Sequence, residues 1–127
     1  MLDHIASMTP RWAKVFLVAG CLIFGLLLHL AYLSRKTERM YAHATVTKLQ
    51  SYRDWALRSD IPQAATILGY VREGTNTKQR PGTPLDQMCT LERSNVIVDI
   101  IAYLRAKTGE DLGHRPEPWI QKYATKN

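Results

Sequence analysis

The sequence predicts an all-α protein: one transmembrane helix, then a small helical domain of about three helices plus a short C-terminal helix. Two observations predict it. Residues 15–33 form one uncharged apolar block, and the rest of the chain carries apolar residues at helical spacing between helix-start and helix-stop signals. The chain thus divides into a short tail (1–14), a span (15–33) and a water-soluble domain (34–127).

The block reads VFLVAGCLIFGLLLHLAYL. As a helix its nineteen residues extend about 28 Å, close to the ~30 Å hydrocarbon core of a bilayer. Twelve of them are Val, Leu, Ile or Phe. At about −0.3 to −0.6 kcal/mol each, they favour insertion by several kcal/mol, more than one off-centre histidine cancels. Trp12 and Tyr32 stand at the two ends as an interfacial aromatic belt. Arg11 and Lys14 before the block, and Arg35, Lys36 and Arg39 after it, bracket the hydrocarbon and suit anionic head groups.

Two processing signals compete with an uncleaved signal-anchor. Val18-Ala19-Gly20-Cys21 is similar to the lipobox of bacterial lipoprotein precursors, but twelve apolar or small residues follow Cys21 where a lipoprotein turns polar. A cleaved signal peptide wants a shorter apolar run ending in an A-x-A-like site, and this block is longer and ends Ala-Tyr-Leu-Ser-Arg. Within the span, Cys21 and Gly25 form a small-xxx-small pair suited to helix packing, and His29 is the strongly polar side chain, able to reach the interface or a neighbouring helix. Lys and Arg near the ends number two before the span and four after it, Lys48 being the outermost, which leans towards a cytoplasmic C-terminus.

Between Arg35 and Arg58 there is neither Pro nor Gly, so an amphipathic helix can continue from the span as a stalk. Tyr41, Ala44, Leu49, Tyr52, Trp55 and Ala56 make its expected apolar face. Asp60 as N-cap, Pro62 in the first turn and Gln63 of a capping box open a second helix that Gly74 stops, with Ile61, Ala64, Ala65, Ile67, Leu68 and Val71 inward. Residues 75–83, TNTKQRPGT, read as a basic exposed loop. Thr83, Pro84 and Asp86 then cap the longest soluble helix, which Gly109 closes. Its second half, VIVDIIAYL, is apolar around most of its circumference and is expected to be the central element, with Asp99 on a solvent strip and Cys89 in the core. Pro116 and Glu117 start a last short helix whose Trp119, Ile120 and Tyr123 fold back onto that core.

The +6 charge comes from basic residues scattered along the chain rather than in runs, which favours a solvated surface and a charged membrane flank over nucleic-acid binding. The two cysteines, one in the span and one in the domain, make neither a disulfide nor a zinc motif. His114 with Glu110 and Asp111 matches no metal-binding spacing and reads as turn and capping residues. No cofactor and no catalytic constellation is expected.

The run Ile101-Ala102-Tyr103-Leu104-Arg105-Ala106-Lys107-Thr108-Gly109-Glu110-Asp111-Leu112-Gly113, with Pro116 and Trp119, resembles a segment of uncharacterised bacterial membrane-anchored proteins. It departs from them at His114 and Arg115, where those proteins are often acidic. The resemblance implies a bacterial inner-membrane location and no particular activity. The reading is a membrane-anchored interaction or scaffold protein. Its partners would be the bilayer and another membrane or peripheral protein, with homo-oligomers as a further arrangement. The alternatives are a cofactor-binding or enzymatic subunit using His29, His43 or His114, and a lipid-organising structural protein.

Overall fold

The computed structural model describes residues 10–74 and 80–125, and the described residues are helical with no strand. Four helices follow in order: α1 Pro10–Ala56, α2 Ile61–Glu73, α3 Pro84–Thr108 and α4 Pro116–Tyr123. The chain divides into two units, one ending at Thr37 and one beginning at Glu38.

The first unit is the apolar part of α1, long and apolar enough to cross a membrane. Helix is the natural form of such a segment, because every backbone N–H and C=O is satisfied within it and no water is needed. Beyond the apolar block, Thr37 donates its hydroxyl to the carbonyl of Leu33 (2.9 Å), which lets a polar side chain sit on the helix without an unpaired group.

The second unit is a helical domain with its own core, built from Leu49 and Ala56 of α1, five residues of α2, four of α3 and Trp119 of α4. Its local starts and stops are those the sequence encodes. The Asp60 carboxylate accepts from the Gln63 N–H (3.0 Å), and the Thr83 hydroxyl from the Asp86 N–H (3.3 Å), each satisfying one of the orphan donors at a helix start. Asp86 also accepts from the Gly82 N–H (2.9 Å), so the α3 start is tied on both sides. At the other end, Gly109 adopts φ 72° and donates its N–H to the Arg105 carbonyl, a left-handed stop that a side chain would strain.

The inward face of α1 is corrected in part: Leu49, Ala56 and half-buried Tyr52 go inward as expected, joined by Ala42 and Thr45, while Tyr41, Ala44 and Trp55 are exposed. The buried positions alternate three and four residues apart, the spacing of a close helix seam. Small residues at Ala42, Thr45 and Ala56 let the neighbouring helix approach. The Cys89 thiol of α3 donates to the Ala42 carbonyl across the contact (3.8 Å). The helix also ends at Ala56 rather than Arg58. Residues 57–59 turn back through N–H bonds to Arg53, Trp55 and Ala56.

The centre is shared between α2 and the second half of α3, where Val96, Ile100, Ile101 and Leu104 are buried as expected. Ala64, Ala65, Ile67, Leu68 and Val71 are all fully buried, and α2 packs against both α3 and α4. Its alanines and Gly69, which has only the Ile120 side chain at 4.0 Å, allow neighbours on two sides. α3, 25 residues long, also meets α1 through Cys89 and Glu92 and outruns both α2 and α4. At 1.5 Å per residue, α4 covers only about 12 Å of the roughly 37 Å of α3, so much of α3 stays open. Val98 is 57% exposed despite lying in the most apolar stretch.

Of the loop expected at residues 75–83, positions 75–79 lie outside the described residues. Arg80 reaches back to Glu38 at the start of the domain (3.0 Å), and Gly74, at φ 82°, ends α2 beneath the Arg93 guanidinium. A cation there faces the negative end of the α2 dipole.

Trp119 is 0% exposed and is the largest fully buried side chain. Replacing it with Ala should cost about 3–5 kcal/mol. Thermal and urea melts of the full chain in detergent, followed by circular dichroism, should show an earlier transition, and an unchanged melt would mean that the core does not depend on this ring.

Candidate functional site

Three surfaces can carry function. The first is the apolar length of α1. From Trp12 to Leu33 its large side chains are 43–73% exposed among the described residues. Trp12 (61%) and Tyr32 (63%) are separated by twenty residues, which places the two rings about 30 Å apart along the helix, the thickness of a hydrocarbon core. Lys14, Arg35, Lys36 and Arg39 are all exposed. The side chain of Arg11 lies outside the described residues. Cys21, Gly25 and His29 fall at four-residue steps on one side of the helix, exposed, with open space where a Cβ would stand on Gly25.

The second surface is the C-terminal clasp. The Trp119 indole N–H donates to the Gly113 carbonyl (3.0 Å), so burying the ring leaves no orphaned donor. Arg105 holds the same corner, donating through Nε (3.1 Å) and Nη2 (2.9 Å) to Asp111, and Asp111 also accepts from the Gly113 N–H (2.9 Å). Glu110 receives the Lys122 ammonium and the Tyr123 hydroxyl, which ties the end of α4 to the segment after α3. Sequence reasoning assigns Glu110 and Asp111 to turns and caps. Asp111 fills that role, while Glu110 is the bridge to α4, a pairing of residues 12 and 13 positions apart that only the folded chain creates. His114 is exposed and joins neither carboxylate by a hydrogen bond.

These contacts shift protonation. Hydrogen bonds from Lys122 and then Tyr123 hold Glu110 below its ordinary 4.5, and the Gly113 N–H, then Arg105, hold Asp111 below 3.8. The same Glu110 contact raises Lys122 and Tyr123. Cys89 behaves as a core residue: burial, then Asp86, pushes its thiol up while Arg93 opposes, so it stays protonated and weakly nucleophilic.

The third surface is apolar and aromatic. Trp55 (48% exposed) and Tyr70 (49%) border an open groove of about 430 Å³. Asp60, Gln63, Thr66 and Thr125 supply polar groups to it, and the Thr125 N–H reaches the Thr66 hydroxyl (3.3 Å). On α3, Met88 (45%), Leu91 (63%) and Val98 (57%) are exposed on the side away from the core. Asp99 beside them is half-exposed and lies 3.8 Å from Arg53, as a solvent strip requires. Among the described residues, no three His, Cys, Asp or Glu side chains converge as metal ligands.

Because the Glu110 and Asp111 pKa values fall on folding, their contribution to stability is present above the ordinary values and is lost as pH drops through and below 4.5 and 3.8. Lys122 has the opposite sign, its contribution being lost as pH rises past its ordinary 10.5. In a Trp12→Phe, Trp55→Phe chain, Trp119 emission should shift to the red on acidification, and the shift should be smaller once Glu110→Gln and Asp111→Asn remove the titrating groups. An emission maximum that is insensitive to acid would show that the clasp does not depend on these carboxylates. Compared with known proteins, this chain matches no family model, no curated protein and no solved structure.

Proposed function

We propose that this chain is a single-pass membrane protein whose apolar segment, residues 15–33, is an uncleaved signal-anchor and whose helical domain docks another protein at the membrane surface. One observation carries the anchoring: a continuous apolar helix whose side chains are uncovered among the described residues. In water such a surface, far above the few hundred Å² typical of exposed apolar patches, would drive aggregation, whereas a bilayer satisfies it. The aromatic and basic residues at its two ends support the same placement.

The docking role is supported by what the domain leaves open. Its core is closed by Trp119, yet Trp55, Tyr70 and the outer side of α3 remain exposed, and aromatic side chains of this kind are enriched at interface centres. The excess of Lys and Arg after the span favours a cytoplasmic domain, and the resemblance of residues 101–119 points to a bacterial inner membrane.

The test is extraction of membranes with alkaline carbonate. The full chain should stay in the pellet with its N-terminus intact. Leu22→Arg with Leu26→Arg, at about 3 kcal/mol each, should release most of it. Release of the unaltered chain, or a mature N-terminus beyond Leu33, would replace the anchor with a peripheral or cleaved form. Gentle crosslinking and pull-down from native membranes should recover a specific partner, and recovery of none would remove the docking role.

A further inference from the structure

The outer side of α3 has a regular pattern. Met88, Leu91, Asn95, Val98 and Ala102 follow one another at steps of three, four, three and four residues, and all five are exposed. At 100° per residue they occupy one narrow stripe, opposite the stripe of Cys89, Val96, Ile100 and Leu104 that faces the core. This is the spacing of a two-stranded helical seam, with Met88, Asn95 and Ala102 at one kind of core position and Leu91 and Val98 at the other.

We propose that this stripe is a self-association seam, in which two copies of the chain pair α3 in parallel with Asn95 against Asn95. The proposal deepens the docking role above by naming its partner, and it rests on the anchoring reading. The asparagine selects a second copy in this orientation. An asparagine amide carries both donors and acceptors, so on a two-fold axis each Asn95 satisfies the other, and a single polar residue at such a position specifies paired parallel helices.

The flanking carboxylates do not oppose it: within their own chain Glu92 accepts from the Gln50 side-chain amide (3.3 Å) and Asp99 lies 3.8 Å from Arg53. An antiparallel pair would set Asn95 against Val98, leaving the amide without a partner.

The size of the seam accounts for the anchor. Two heptads of exposed side chains amount to a few hundred Å² per copy, short of the roughly 1,200 Å² that a stable free complex buries. Copies confined to one bilayer meet at a much higher effective concentration than in solution, which lets a short seam pair.

Crosslinking of the full chain in membranes tests this, in a Cys21→Ser background that removes the thiol of the span. Met88→Cys and Asn95→Cys should each give a disulfide-linked dimer on mild oxidation, while Gln121→Cys on α4 should stay monomeric. Leu91→Glu with Val98→Glu should lower the Asn95→Cys dimer at least about tenfold. Circular dichroism and Trp119 emission would show that the domain stays folded, since both positions are exposed. Dimer formed by pairing Leu91→Cys with Ala102→Cys, but not by Met88→Cys alone, would overturn the parallel arrangement. Monomer throughout would overturn the seam. If the chain still resists carbonate, that result leaves the anchoring reading standing, whereas a chain released by carbonate fails at the anchor.

Discussion

Helix α2 is thirteen residues long, yet the domain is organised around it. Its alanines and one glycine carry almost no side-chain bulk, so neighbours can approach on two sides, while Ile67, Leu68 and Val71 fill the space between them. Such a helix has little stability alone, because a span of that length is marginal in water. It is held by what it touches: α3 along one side, α4 along the other, and the Trp119 ring in the same cluster. The segment after α3 then has to turn sharply to bring α4 back, and the Gly113 carbonyl that receives the indole N–H is part of that turn.

The polar contacts follow from the same geometry. Arg105, Asp111, Glu110, Lys122 and Tyr123 are unremarkable in sequence, but the return of α4 places them within hydrogen-bond distance of one another. They are exposed pairs, which individually contribute little, and their effect is to orient the corner that carries Trp119 rather than to hold the domain by charge. The Tyr103 hydroxyl, donating to the Ser59 carbonyl, does the corresponding work between α3 and the turn after α1.

The helices cannot enclose one another fully. α3 meets α1, α2 and α4 yet keeps one side open, where Met88, Leu91, Val98 and Ala102 are exposed together with Asn95 and Asp99. On the apolar part of α1 the exposure is larger, its large side chains open all round among the described residues.

How much of this was legible in the sequence depends on the range of the interaction. The apolar segment, the caps at Asp60 and Thr83, the stops at Gly74 and Gly109 and the burial of Trp119 are local: they follow from helix periodicity, backbone conformation and hydrophobicity within a few residues. The face of α1 was legible in part: Leu49, Tyr52 and Ala56 go inward as expected, but hydrophobicity also marks Tyr41 and Trp55, where the fold buries the smaller Ala42 and Thr45 instead. The apolar circumference of α3 likewise marked its second half as central, but not that α2 shares the centre. The aromatic and basic residues at the two ends of the apolar block could be named from sequence because they follow from its local limits, whereas the Glu110 bridge and the exposed stripe on α3 required the tertiary structure. Pairing across a dozen residues, and the choice of which apolar side goes inward, are settled only when whole helices compete for the same space.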